Sequence, residues 1–314
     1  MLLNSRSIFK LGLGVLIMIS IPSYIGTASY AQDNTTSKLT SPRSSNVSAS
    51  DNSTLGAASN NQDLESKLLA KNLEDTLRDG VSALELMTNN LTPMTIPPNE
   101  ALLKTTLKTL HGIPPNADES KRKLAQDIIS KYKIFEYIGY LTPHGDNYFV
   151  EPYSPAQTHL QTLNFGYREH FKGAIASKAP FLSNVINSVS YGTPHAAIAI
   201  AVYSQNNSGS LIGVLVGGLN FTYIDQSIRS LNLTDHDHRI ILADRNGTAI
   251  FDSLLSNNHA PKVGSVATLQ SSKNALQGRS GSIVEPFNGT KMLISYHPVK
   301  AVQRTWVILL LKTI

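Results

Sequence analysis

The chain contains no cysteine. That absence removes disulfide scaffolds, thiolate zinc sites, cysteine nucleophiles and a lipid-modified cysteine anchor together. Tryptophan occurs once, and charged residues make up only 16% of the 314 positions. The formal net charge of +5 is small, and Lys and Arg are scattered rather than gathered into a stripe interleaved with aromatics. A nucleic-acid footprint is therefore missing. Long hydrophobic runs are scarce too: the apolar stretch from Trp306 to Leu311 is far too short to cross a membrane and reads as a buried last strand. No Gly-x-x-x-x-Gly-Lys phosphate loop and no His-Glu-x-x-His zinc motif occur. Gly278-Arg279-Ser280-Gly281-Ser282 fails as a nucleophile elbow because its second glycine falls one position early. The chain does not read as an enzyme.

What is present begins at the N-terminus. Arg6 and Lys10 precede an uncharged apolar run from Leu11 to Ile21, then Pro22, small residues, and Ser29-Tyr30-Ala31 ahead of Gln32. This is the pattern of a signal peptide over residues 1–31. Because no charge separates Lys10 from Asp33, an uncleaved membrane anchor is the alternative. Both readings put the remainder outside the cytoplasm, secreted or at the cell surface. Sequons at Asn34, Asn46, Asn52, Asn90, Asn206, Asn220, Asn232, Asn246 and Asn288 fit a glycosylated surface protein.

Residues 32–61 are Asn, Ser, Thr and Ala with little to bury, and read as a flexible linker. From Gln62, the spacing of Leu64, Leu68, Leu73, Leu77, Val81 and Leu84 predicts one apolar face of a long helix through about Asn89. A second helix is expected around Leu124, Ile128, Ile129 and Tyr132. The period then becomes that of strands. Hairpins are expected at 135–150, at 196–219 and, around Asp244-Arg245-Asn246-Gly247, at 239–251. Asn288-Gly289 joins strands 281–286 and 291–299. Tyr167 to Ser177 reads as a helix, and Thr222 as the N-cap of another. Asp235-His236-Asp237-His238 puts two histidines on one side of an extended segment, a weak metal candidate set against a solvated linker. His144, His159, His195 and His297 stand singly at turns or strand ends and read as surface residues.

A long helix followed by two strand–turn–strand modules resembles the double Cache family of extracytoplasmic, PAS-like sensor domains. Tyr167-Arg168-Glu169-His170-Phe171-Lys172-Gly173-Ala174 is similar to the Arg-bearing helix start of its membrane-distal module. Gly213 to Phe221 is similar to that module's last strand, Leu242 to Gly247 to the opening hairpin of the proximal module, and Tyr296-His297-Pro298-Val299 with Trp306-Val307 to its final strand pair. The resemblance implies an α+β fold: a long N-terminal helix, then two Cache modules, each a central antiparallel sheet with flanking helices. The distal module with its helix would span 62–234 and the proximal module 235–314.

The resemblance further implies a sensor that binds a small ligand without a cofactor. A membrane-bound signalling partner is expected, since no transmitter follows Ile314, as is a homodimer through the N-terminal helix. A secreted scavenging binding protein or a structural surface module is the alternative. The motif assigns Arg168, His170 and Phe171 to the ligand pocket, with Tyr167, Tyr191 and Asn220 beside them. An arginine there holds a carboxylate bidentately, although a structural ion pair would use the same residue. The family's amino-acid binders place an Asp on the last distal strand for the ammonium group, where this chain offers Gly218 or Asn220. They also carry a Tyr where Leu163 stands, a Trp where His170 stands, and a hydroxyl that Phe171 lacks. A desolvated ammonium would go unpaired. The expected ligand is a small carboxylate or a neutral polar metabolite, bound pH-sensitively if His170 faces it.

Overall fold

Side-chain alternation divides the first sheet into two faces. In strand β1 (Phe135–Leu141), Phe135, Ile138 and Tyr140 are buried in the largest apolar cluster, while Leu141 belongs to a separate one. Such alternation requires apolar cover on both sides. A computed structural model describes residues 49–91, 112–153, 164–189, 192–204, 209–231, 233, 238–254 and 265–314. Tyr191, His236, His159 and the N-terminal segment lie outside the described residues. No helix among the described residues is long and apolar enough to cross a membrane.

Helix α1 (Ala49–Leu91) starts well before the expected Gln62. Its buried stripe also differs from the expected one. Ser66, Leu69, Leu73, Leu77, Leu84 and Met87 face inward, whereas Leu64 and Leu68 are 66% and 51% exposed. Leucines at 64, 68, 73 and 77 cannot share one face at 3.6 residues per turn, and the stripe through Leu69 and Leu73 wins because it meets both sheets. Helix α2 (Glu119–Lys131) follows, and strands β1 and β2 (Asn147–Glu151) form the first hairpin. Next come helix α3 (Glu169–Ser177), the short strands β3 (Phe181–Leu182), β4 (Ile186–Asn187) and β5 (Pro194–His195), then β6 (Ala197–Tyr203) and β7 (Leu211–Leu219). Helix α4 (Phe221–Ser230) is capped by Asn220 rather than Thr222, with the Asn220 side chain accepting from the Tyr223 N–H at 3.0 Å.

The second module comprises β8 (Arg239–Ala243), β9 (Ala249–Asp252), helix α5 (Gln270–Leu276), β10 (Gly281–Phe287), β11 (Thr290–Ala301) and β12 (Arg304–Thr313). Asn288 and Gly289, both at positive φ, make the expected tight turn between β10 and β11.

The sheets run β2-β1-β7-β6-β3 and β10-β11-β12-β8-β9, with every neighbouring pair antiparallel. Counted within each module, both orders are second, first, fifth, fourth, third. The two halves are therefore topological repeats. Helix α1 packs against both sheets, and one apolar cluster runs from Leu69 and Leu84 through Phe135 and Ile198 to Trp306 and Ile308. Helix α3 covers the other face of the first sheet, and α5 that of the second.

Candidate ligand-binding site

The face of the first sheet turned toward α3 is not filled completely. A cavity of about 70 Å³ lies there, lined by Tyr137, Gly139, Leu141, Val150 and Val216 from the sheet, by Phe165, Arg168 and His170 at the start of α3, and by Ile186, Ser188, Val189 and His195 around the β4–β5 pair; Asn147 completes it. Residues 137, 139 and 141 alternate toward the cavity while Ile138 and Tyr140 sit in the core behind.

Arg168 occupies the N-cap position of α3 in an extended conformation, and its side chain makes no cap hydrogen bond to the helix. Its Nη2 donates to the Asn187 carbonyl at 3.3 Å, and its guanidinium lies 5.0 Å from the centroid of the Tyr167 ring. No carboxylate pairs with it among its hydrogen bonds and ion pairs in the described residues. The Tyr137 hydroxyl and His195 Nε2 share a hydrogen bond at 3.0 Å, with the donor set by the tautomer. His170 is buried, and its Nδ1 has no hydrogen-bond partner.

Burial governs the electrostatics. It pushes His170 down to about 3, helped by His195 and Arg168, and His195 down to about 4, helped by Arg168 and opposed by the Thr193 backbone. Both rings are neutral at physiological pH. His170 lines the cavity, but its charge does not switch near pH 7. Among the cavity's described lining residues, Arg168 supplies the only fixed charge.

Of the other expected site residues, Phe171 is buried in the apolar cluster with Leu141, Phe181 and Val214, where it fills the α3–sheet interface rather than lining the cavity. Tyr167 is 52% exposed and serves as the surface on which Arg168 rests. Asn220 spends its side-chain oxygen on the cap of α4. His195 corrects the surface reading, because the strand that follows it is buried and carries it inward. Tyr137, Ser188 and the β4–β5 pair were not anticipated; the one signal was Tyr137 in phase with Gly139 and Leu141. His238, a weak metal candidate, hydrogen-bonds Glu65 through Nδ1 at 3.1 Å, and no group of three metal-ligating side chains occurs among the described residues.

The second module holds the segments next to the cavity's lining residues. Glu169, between Arg168 and His170, accepts from the Asn184 N–H and Nδ2 at 3.0 and 3.1 Å and pairs with Arg304 at 3.1 Å. The buried Asp244 carboxylate accepts from the N–H groups of Asn246 and Thr248 in its own hairpin and from the Val185 N–H at 2.8 Å. The segment leading into Ile186 and Ser188 is thus held by groups from β8–β9 and β12.

Gly218 explains how Tyr137 reaches the cavity. A Cβ at that position would stand 2.0 Å from a Tyr137 ring carbon. Gly218→Val is expected to displace the ring, break the Tyr137–His195 bond and cost about 1–3 kcal/mol by overpacking. Urea unfolding measures the cost, and the accompanying loss of any ligand-induced stabilisation measures the blocked cavity.

The Cache-domain family model of the double type matches residues 48–312. No curated protein matches the chain in sequence. Among solved structures, the ligand-binding domain of the Pseudomonas fluorescens chemoreceptor CtaA in complex with L-isoleucine is 14% identical with a TM-score of 0.57, over 84% of this chain and 96% of that one. The ligand-binding domain of the Pseudomonas aeruginosa PAO1 amino acid chemoreceptor PctB in complex with L-Arg is 15% identical with a TM-score of 0.58, over 82% and 96%. The extracellular domain of rpHK1S-Z16 is 14% identical with a TM-score of 0.63, over 83% and 96%. At these identities the likeness speaks for the fold alone, and it agrees with the repeated five-stranded sheet. By the family match and by that repeat, the chain belongs to the double Cache family.

Proposed function

We propose that the chain is an extracytoplasmic sensor module that takes up a small polar molecule in the cavity beneath α3, with Arg168 as its anchor. The observation that carries the reading is a guanidinium at the wall of a largely apolar cavity, with no carboxylate paired to it among the described residues. Glu169, its neighbour in sequence, is engaged instead by Asn184 and Arg304. The order of the sheets and the family membership support ligand binding as the role of this face. The solved relatives hold small organic molecules, L-isoleucine in CtaA and L-Arg in PctB. Contacts from β8–β9 and β12 to the cavity wall give the second module a direct mechanical link to occupancy of the first.

Thermal unfolding of the chain in the presence of small carboxylates, amino acids, neutral polar metabolites and purines tests the proposal. A ligand at about a hundred times its Kd adds close to 2.7 kcal/mol, or a rise in Tm of about 5–10 °C. That rise should vanish in Arg168→Ala. A rise that survives in Arg168→Ala, or none with any compound, overturns the proposal.

A further inference from the structure

We infer that the occupant of this cavity is a small monocarboxylate without an ammonium group, its carboxylate on Arg168 and a hydroxyl or oxo group beside His170. The inference rests on the sensing role proposed above and narrows it to one chemical class.

Charge comes first. No Asp or Glu lines the cavity. The stretches that flank it in sequence, 152–168 and 185–195, contain none either. An ammonium group brought in from water would therefore stand desolvated and unpaired, and buried charges are tolerated only when paired. One guanidinium likewise balances one negative charge. Arg168 is the only fixed cation in the lining, so a second carboxylate or a phosphate dianion would meet no fixed counter-charge.

Size comes next. About 70 Å³ of cavity compares with roughly 10–15 Å³ for a single water, so the space suits about five or six heavy atoms. Val150, Val216, Ile186 and Leu141 give that space an apolar side suited to a methyl or ethyl group. The Nδ1 of His170, buried and without a hydrogen-bond partner like that of His195, then selects among such acids. A hydroxyl can serve it in either tautomer, and an oxo group when Nδ1 carries the proton.

Isothermal titration calorimetry of the chain with lactate, pyruvate, propionate, L-alanine and succinate at pH 7.5 tests this. Lactate or pyruvate should bind about tenfold or more tighter than L-alanine and succinate, with propionate between. Binding should be lost in Arg168→Ala. L-Alanine or succinate binding as tightly as lactate would overturn the class while leaving the sensing role standing. If all five fail while another compound stabilises wild type but not Arg168→Ala, the class again falls alone. If all five fail and no compound stabilises the chain, the class and the sensing role fall together.

Discussion

Arg122→Met is expected to destabilise the protein by about 3–5 kcal/mol, the cost of leaving one partner of a buried ion pair alone. Arg122 and Glu151 pair with their side chains 4% exposed each, so water cannot replace the missing charge. Arg122 also donates to the carbonyls of Ala117 at 2.9 Å and of Ile113 and Pro114 at 3.1 Å, and Gln126 donates to Glu151 at 2.9 Å. This network fixes α2 and the segment before it to β2, the strand that presents Val150 to the cavity. At about 2–4 °C per kcal/mol, the fall in Tm should be of order 10 °C. The double variant Arg122→Met with Glu151→Leu should recover much of the loss, because no charge is then stranded. The exposed Asp75 cluster with Lys71 and Arg78 provides the contrast, and Lys71→Ala should leave the transition unmoved. A single variant as stable as wild type would contradict the assignment.

Acid should unfold the protein through its cavity. A free histidine takes up a proton near 6.5, whereas the folded state holds His170 down to about 3 and His195 to about 4 by burial. Between those limits the unfolded chain binds more protons than the folded one. Stability therefore falls as the pH drops below 6.5, by about 1.4 kcal/mol per pH unit for each ring. Between pH 7.5 and pH 5 the two together should remove about 4 kcal/mol, as an order of magnitude. Urea midpoints across that range measure it. His170→Gln should remove about half of the slope, and an unchanged slope in that variant would show the ring to be accessible to protons when folded.

Long strands were readable because their signals are local. The hairpins at 135–151 and 197–219 fall within a residue of their expected bounds, and Asn288-Gly289 announces its turn, because alternation and positive φ preferences act within a few residues. The inward face of α1 was misread because leucines at 64 and 68 resemble a stripe until two sheets select another. Helix α5 was missed: Gln270 to Leu276 is polar, and its first two N–H groups are satisfied by Glu285, fourteen and fifteen residues away. The site was half legible. Arg168 and His170 lie on a helix start whose motif carries them, while Tyr137 and His195 reach the cavity only through pairing of β1 with β7 and of β4 with β5. Register between distant strands leaves no mark in a single sequence. Asn220 misled because one side chain can read as either a ligand contact or a cap, and the cap is the local partner available to it.

The most direct test of the central claim is the histidine ring ¹H–¹⁵N spectrum of the chain during titration with the ligand that raises its Tm, with signals assigned by single His→Gln variants. The rings of His170 and His195 should shift in proportion to occupancy while those of His238 and His297, in the second module, stay in place. Shifts at His238 or His297 with silence at His170 and His195 would move the binding site to the other module and contradict the account.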